Sequence, residues 1–96
     1  MNEDLLQVNI MVTGKVQRVG FRFFTIECAN NTDLVGWVRN RKNNTVEILA
    51  EGSQIAIDQF IEKIKIGPSM GRVDNIEVEY LPYSGNFTKF KSRLTK

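Results

Sequence analysis

The segment Gly14-Lys15-Val16-Gln17-Arg18-Val19-Gly20-Phe21-Arg22 holds the residues in this chain best suited to chemistry. An apolar-alternating pattern precedes it and a helical pattern follows. A glycine-containing loop at a strand-to-helix turn can direct main-chain N–H groups outward, and the helix N-terminus adds partial positive charge there. Arg22 offers the same anion a planar fork of donors. Most single arginines on a surface helix are merely solvated. A cation in the first helical turn opposes the helix dipole, however, and a bound anion would remove that conflict. The segment therefore points to a small oxyanion. It is not a nucleotide-type phosphate loop, because no Ser or Thr follows Gly14-Lys15 and the Gly-x-Gly-x-x-Gly spacing is absent.

A second candidate is Asn40, placed at the end of an expected strand before the basic turn Arg41–Asn44. On position alone, turn chemistry is the commoner use of such an asparagine. Its other use is to orient a water, since an amide is no strong base. Arg39, Arg41 and Lys42, taken singly, read as a solvated hairpin end, and Trp37 and Cys28 as packing residues.

Charge and composition narrow the field. The 96 residues suit one domain spanning 1–96, with a net charge of +2, 42% apolar residues and 25% charged. The cations Lys15, Arg18, Arg22, Arg39, Arg41 and Lys42 meet only Glu27 and Asp33 between positions 15 and 42, whereas acids dominate from Glu47 to Glu79. A chain-wide charge this small is not that of a dedicated nucleic-acid binder. There is no histidine, which removes the commonest general base and most zinc sites. The single Cys28 allows no internal disulfide. No apolar run is long enough to span a bilayer and no secretory h-region is present, so a reducing cytoplasm is expected and the Asn-x-Thr sequons at Asn30, Asn43 and Asn86 read as coincidence.

The elements that would position these residues follow from periodicity. Leu6, Val8, Ile10 and Val12 alternate as a strand that Gly14 is expected to end. Phe21–Asn31 is β-prone by composition, yet Phe21, Phe24 and Cys28 recur at helical spacing. Leu34–Asn40 and Thr45–Glu51 read as a hairpin around Arg41–Asn44. Ser53 caps a helix whose stripe is Ile57, Phe60, Ile61 and Ile64, and Gly67-Pro68 stops it. A fourth strand carries Ile76, Val78 and Tyr80, and a short last one spans Phe87–Lys91. The order βαββαβ plus a terminal strand predicts an α+β, ferredoxin-like sandwich with both helices on one face of a mostly antiparallel sheet.

Taken together these residues resemble the acylphosphatase family. Its first signature is similar to Gly14–Arg22, and its second to Gly36-Trp37-Val38-Arg39-Asn40 followed by a turn and Thr45-Val46-Glu47. Gly67-Pro68 and Arg72-Val73 also resemble the family's stretch after the second helix, so the likeness runs from about Val8 to Phe90. The resemblance implies metal-independent hydrolysis of acyl phosphates by water, with no cofactor and no covalent intermediate. Arg22 and Asn40 take the catalytic positions, and Lys15, Val16, Gln17, Arg18, Val19, Gly20 and Phe21 the phosphate-binding loop. Expected ligands are a small acyl phosphate and inorganic phosphate or sulfate, with no nucleic acid or membrane partner and a monomeric state.

Two positions depart from the family pattern. Arg18 stands where glycine is usual, and it is strained if that position needs a positive φ. Asn43-Asn44 replaces Asp-Gly in the hairpin, where asparagine still tolerates a left-handed turn. Two other readings stay open from sequence. One is an RNA-binding module, since Arg18–Phe24 echoes a basic-aromatic strand motif. The other is a catalytically silent relative whose loop Arg18 has closed.

Overall fold

The computed structural model describes residues 4–96. Its elements are β1 (Leu5–Lys15), α1 (Phe21–Asn31), β2 (Val35–Asn40), β3 (Val46–Ser53), α2 (Gln54–Ile66), β4 (Arg72–Pro82) and β5 (Phe90–Ser92). The strands form one sheet in the order β4-β1-β3-β2-β5. Strand β3 lies antiparallel between β1 and β2, so those two run the same way and both end at the same edge. Val46 opposes Val12 on one side and Asn40 on the other. The end of β2 and the loop leaving β1 are thus neighbours, although more than twenty residues separate them in sequence.

Strand alternation and helical stripes meet in one core. Val8, Ile10 and Val12 of β1, Val38 of β2, and Val46, Ile48 and Ala50 of β3 share a buried cluster with both helices. Phe21, Cys28 and Ala29 enter it from α1, and Ile57, Phe60, Ile61 and Ile64 from α2. Both helices cover one face, as the α+β, ferredoxin-like reading expects. The Ser53 hydroxyl oxygen accepts the Ala56 N–H at 3.1 Å, a cap that contributes about 1 kcal/mol. Lys63 and Lys65 lie in the last turn of α2, where the dipole favours cations.

Strands β2 and β3 differ from expectation by only one or two residues at their ends, but β1 and the last strand differ more tellingly. Gly14 does not end β1; the strand continues to Lys15 through a register shift in which Thr13 pairs with Asn75 and Gly14 with Val73. The unpaired Asp74 on β4 absorbs the irregularity, a bulge no periodicity in β1 reveals. The last strand is Phe90–Ser92 and not Phe87–Lys91, and it pairs parallel to β2. Its register is set by burial of Phe90 against Phe60, their ring centroids 6.2 Å apart. Beyond β5 the chain still follows β2. The Arg93 N–H donates to the Val38 carbonyl at 2.8 Å, and the Lys96 N–H donates to that of Asn40 at 3.1 Å.

The hairpin turn forms with Asn44 in the left-handed region, at φ 68°, as asparagine permits. The Asn43 side-chain oxygen accepts the Thr45 N–H at 3.3 Å and locks the turn. Among the described residues no helix is long and apolar enough to cross a membrane.

Candidate active site

The loop between β1 and α1 is built to leave main-chain donors without partners. Gly20 is the N-cap residue of α1 in a left-handed conformation, φ 76°, and it has no side chain to satisfy the first-turn N–H groups. Arg18 is also left-handed, at φ 63°, whereas Gln17 and Val19 are not. Such alternation curves successive N–H groups into an anion-binding concavity. Among the described residues, none of the main-chain N–H groups from Gln17 to Phe23 donates to a protein acceptor; the first helical bond runs from the Phe24 N–H to the Gly20 carbonyl at 3.0 Å.

Hydrophobic anchors hold this polar loop rigid. Val16 and Phe21 are buried, and Val19 packs against the core between them. Behind the loop the chain after α2 comes within a close approach that only glycine allows. A Cβ on Gly71 would lie 2.9 Å from the Lys15 carbonyl oxygen and 3.1 Å from a Val19 methyl.

Gln17 joins the two sequence signatures physically. Its side-chain amide donates to the Arg41 carbonyl at 2.8 Å and the Thr45 carbonyl at 2.9 Å. The loop is therefore fastened to the turn that follows Asn40. Sequence reading assigned Gln17 to the anion loop in general. Its side chain instead serves the hairpin, leaving only its main-chain N–H for a ligand.

Arg22 is exposed in the first turn of α1, and its side chain makes no hydrogen bond or ion pair among the described residues. It lines an open cleft of about 750 Å³ with Arg39 and the segment Ser92–Lys96. Asn40 is half-buried on the helix side of β2, on the same face as Val38. Its side-chain amide has no protein partner among the described residues, while its carbonyl accepts the Lys96 N–H.

The neighbouring cations are not equivalent to Arg22. Glu47 accepts from Arg39 Nε at 2.8 Å, Arg41 Nη1 at 3.2 Å and the Asn9 amide at 3.0 Å. Burial pushes the Glu47 carboxyl up, but the Asn9 and Arg39 hydrogen bonds and the charges of Arg39 and Arg41 outweigh it and hold it below its ordinary value. Arg39 and Arg41 are thus paired structural cations rather than the solvated pair expected from sequence. Trp37 does pack, but outside the helix-covered core, with the Arg39 and Arg93 guanidinium carbons 4.6 and 4.9 Å from its ring centroid. Cys28 is buried, and burial raises its thiol above the ordinary value, which suits a packing role.

The basic-aromatic stretch Arg18–Phe24 lies in a loop and a helix, with Phe21 buried and Phe24 packed on the core. It presents no sheet strand of exposed rings. Three contributors escaped sequence reading: the Gln17 tether, the Gly71 backing and the Arg93 stack. Only Gly71 carried a signal, as a glycine just after Gly67-Pro68.

Comparison with known proteins bears on what this geometry serves. The acylphosphatase family profile matches residues 8–92. The acylphosphatase of Bacillus licheniformis is 43% identical over 86 residues, covering 90% of this chain and 96% of that protein. That of Bacillus subtilis is 46% identical over 74 residues, covering 77% and 81%. The crystal structure of the Bacillus subtilis acylphosphatase superposes with a TM-score of 0.89 at 40% identity, covering 92% of this chain and 98% of that one. A phosphate- and nucleotide-bound full-length HypF also superposes with a TM-score of 0.89, at 30% identity over 99% of this chain but only 13% of its own length. A loop of free main-chain donors, set on this fold and matched along nearly all of β1 to β5, leaves one assignment: this chain belongs to the acylphosphatase family and hydrolyses acyl phosphates.

Proposed function

We propose that Arg22 and Asn40 are the catalytic residues, and that the main-chain N–H groups from Lys15 to Phe21 bind the phosphoryl group. An acyl phosphate loses a carboxylate, which departs without protonation. Catalysis therefore needs mainly positioning and charge stabilisation. The loop N–H groups hold the phosphoryl oxygens, and Arg22 braces the phosphoryl group and the bond being broken. The Asn40 amide holds a water in line with that bond. A bond forms from the water oxygen to phosphorus as the phosphorus–carboxylate bond breaks. The water proton passes to a phosphoryl oxygen, so no histidine is required. The products are a carboxylate and inorganic phosphate, and the scheme uses no metal.

The observation that carries this reading is the Gln17 tether, because it couples the loop to the strand end bearing Asn40. Free donors on one side and a free amide on the other give phosphate and water separate holders. The reading takes residues 1–96 as one domain working as a monomer in the cytoplasm, with inorganic phosphate or sulfate as competing ligands.

Benzoyl phosphate hydrolysis in EDTA tests the assignment. Arg22→Ala and Asn40→Ala are each expected to lower kcat/KM on the order of 10²-fold or more. Wild-type rates in both variants would sink it, and loss of wild-type activity in EDTA would sink the metal-free scheme.

A further inference from the structure

We infer that the cleft beside Arg22 is an acyl-group subsite selective for acyl phosphates whose acyl part carries a second anion, with Arg93 as the residue that reads it. The inference rests on the catalytic reading above and deepens it. The cleft adjoins Arg22 itself, so a substrate whose phosphoryl group is braced by Arg22 has this space for its acyl chain. Its walls are Arg22, Arg39 and the run Ser92-Arg93-Leu94-Thr95-Lys96. No acidic side chain lines it. Arginine stems and the exposed Leu94 are the apolar groups its walls offer a short methylene chain.

The charges in the cleft differ in availability. Arg39 gives its guanidinium to Glu47, at 2.8 Å from both Nε and Nη2. Arg22 is reserved for the phosphoryl group. Arg93 has no carboxylate partner among the described residues, and its guanidinium is held over Trp37 at 4.9 Å. A neutral ring fixes the cation in place without neutralising it, so its donors stay available to a ligand. The Arg93 main chain is also fixed, by the 2.8 Å bond from its N–H to the Val38 carbonyl. The main-chain oxygen of Lys96 is engaged by the Lys42 N–H, at 3.3 Å. A carboxylate or second phosphate at the far end of a short acyl chain would meet a positioned, unpaired arginine. An uncharged acyl chain would leave Arg93 as it is.

Succinyl phosphate and butyryl phosphate separate the two cases, because they differ only in a carboxylate replacing a methyl. The quantity to measure is the ratio of their kcat/KM values, in wild type, Arg93→Gln and Arg93→Lys, at low and at high salt. The expected wild-type ratio is about two to five in favour of succinyl phosphate, falling with salt as an exposed ion pair must. Arg93→Gln should bring the ratio close to one, and Arg93→Lys should keep part of it. Succinate should also perturb the fluorescence of Trp37, the single tryptophan, in wild type but not in Arg93→Gln. A ratio equal in wild type and Arg93→Gln overturns the inference, even though butyryl phosphate turnover leaves the catalytic reading standing. Absence of turnover on both substrates overturns that reading and the inference with it.

Discussion

The two ends of the β-sheet treat charge in opposite ways. At the end where β1 and β2 finish, Arg22, the Asn40 amide and seven main-chain N–H groups, from Gln17 to Phe23, have no protein partner among the described residues. At the other end Glu51 on β3 is fully buried, yet it accepts hydrogen bonds from the Gln7 amide at 2.7 Å, the Ser84 N–H at 2.7 Å, the Ser84 hydroxyl and the Gly85 N–H at 3.1 Å. One carboxylate thereby pins the segment after β4 to the sheet. Glu51 is the buried charge that looks unusual, but it is saturated and structural. Arg22 is an ordinary exposed arginine, but it and the donors around it are the groups left open. Satisfaction of polar groups, more than burial of charge, separates architecture from chemistry here.

The sharpest way to break this contrast is a pair of substitutions with crossed effects. Arg22→Ala should cost on the order of 10²-fold in kcat/KM while leaving the thermal midpoint nearly unchanged, since no intramolecular bond is lost. Glu51→Ala should do the reverse. It strands the donors of Ser84, Gly85 and Gln7 and should lower unfolding free energy by about 1–3 kcal/mol in urea titrations, with kcat/KM retained. If Glu51→Ala abolished turnover in folded protein, the two ends would not be independent.

The same carboxylate sharpens the comparison through pH. Burial pushes the Glu51 carboxyl up, but the Ser84, Gln7 and Gly85 hydrogen bonds outweigh it and hold it below its ordinary value. Its stabilising contribution is therefore complete above the ordinary glutamate range. It is lost as pH falls below that range through the lowered native value. Urea midpoints of wild type and Glu51→Gln should differ at neutral pH and converge on acidification. Parallel curves down to acid pH would remove the charge from the account.

An intermediate effect belongs to the Gln17 side chain, which touches no reacting atom. Gln17→Ala frees the loop from the Arg41 and Thr45 carbonyls and should cost roughly tenfold in kcat/KM through misplacement alone. Gln17→Glu keeps the length but turns an acceptor toward two carbonyls, so it should be worse than alanine. Equal losses would mean that the side chain fills space and does not tie the loop.

Much of this was legible because the cues are local. The helix cap at Ser53, the stripe Ile57–Ile64 and the alternation of Val8, Ile10 and Val12 depend on neighbours in sequence. Arg22 and the loop glycines announce themselves by residue type at a strand-to-helix junction. The rest depends on pairs far apart. The bulge at Asp74 exists only in register with Gly14, the Gln17 tether only against Arg41 and Thr45, and the Arg93 stack only over Trp37. Position alone leaves Asn40 a turn asparagine and only the family resemblance singles it out in sequence, whereas its alignment with Val12 through Val46 is visible only in the register.

The smallest effect concerns Arg18, whose φ of 63° shows that its position demands the left-handed region. A residue with a Cβ costs about 1–2 kcal/mol there, which glycine avoids. Glycine costs more chain entropy on folding, roughly 0.5–1 kcal/mol, so the net gain for Arg18→Gly should be about 0.5–1 kcal/mol. Arg18→Ala removes the charge and keeps the strain, so its urea midpoint should stay near that of wild type. If both variants stabilised the protein equally, crowding of cations and not backbone strain would be the cost. Strain at this position is tolerable because Val16 and Phe21 are buried on either side and Gln17 is tied to the hairpin. Those anchors hold the loop in the conformation that leaves its N–H groups without protein acceptors, whichever residue occupies position 18.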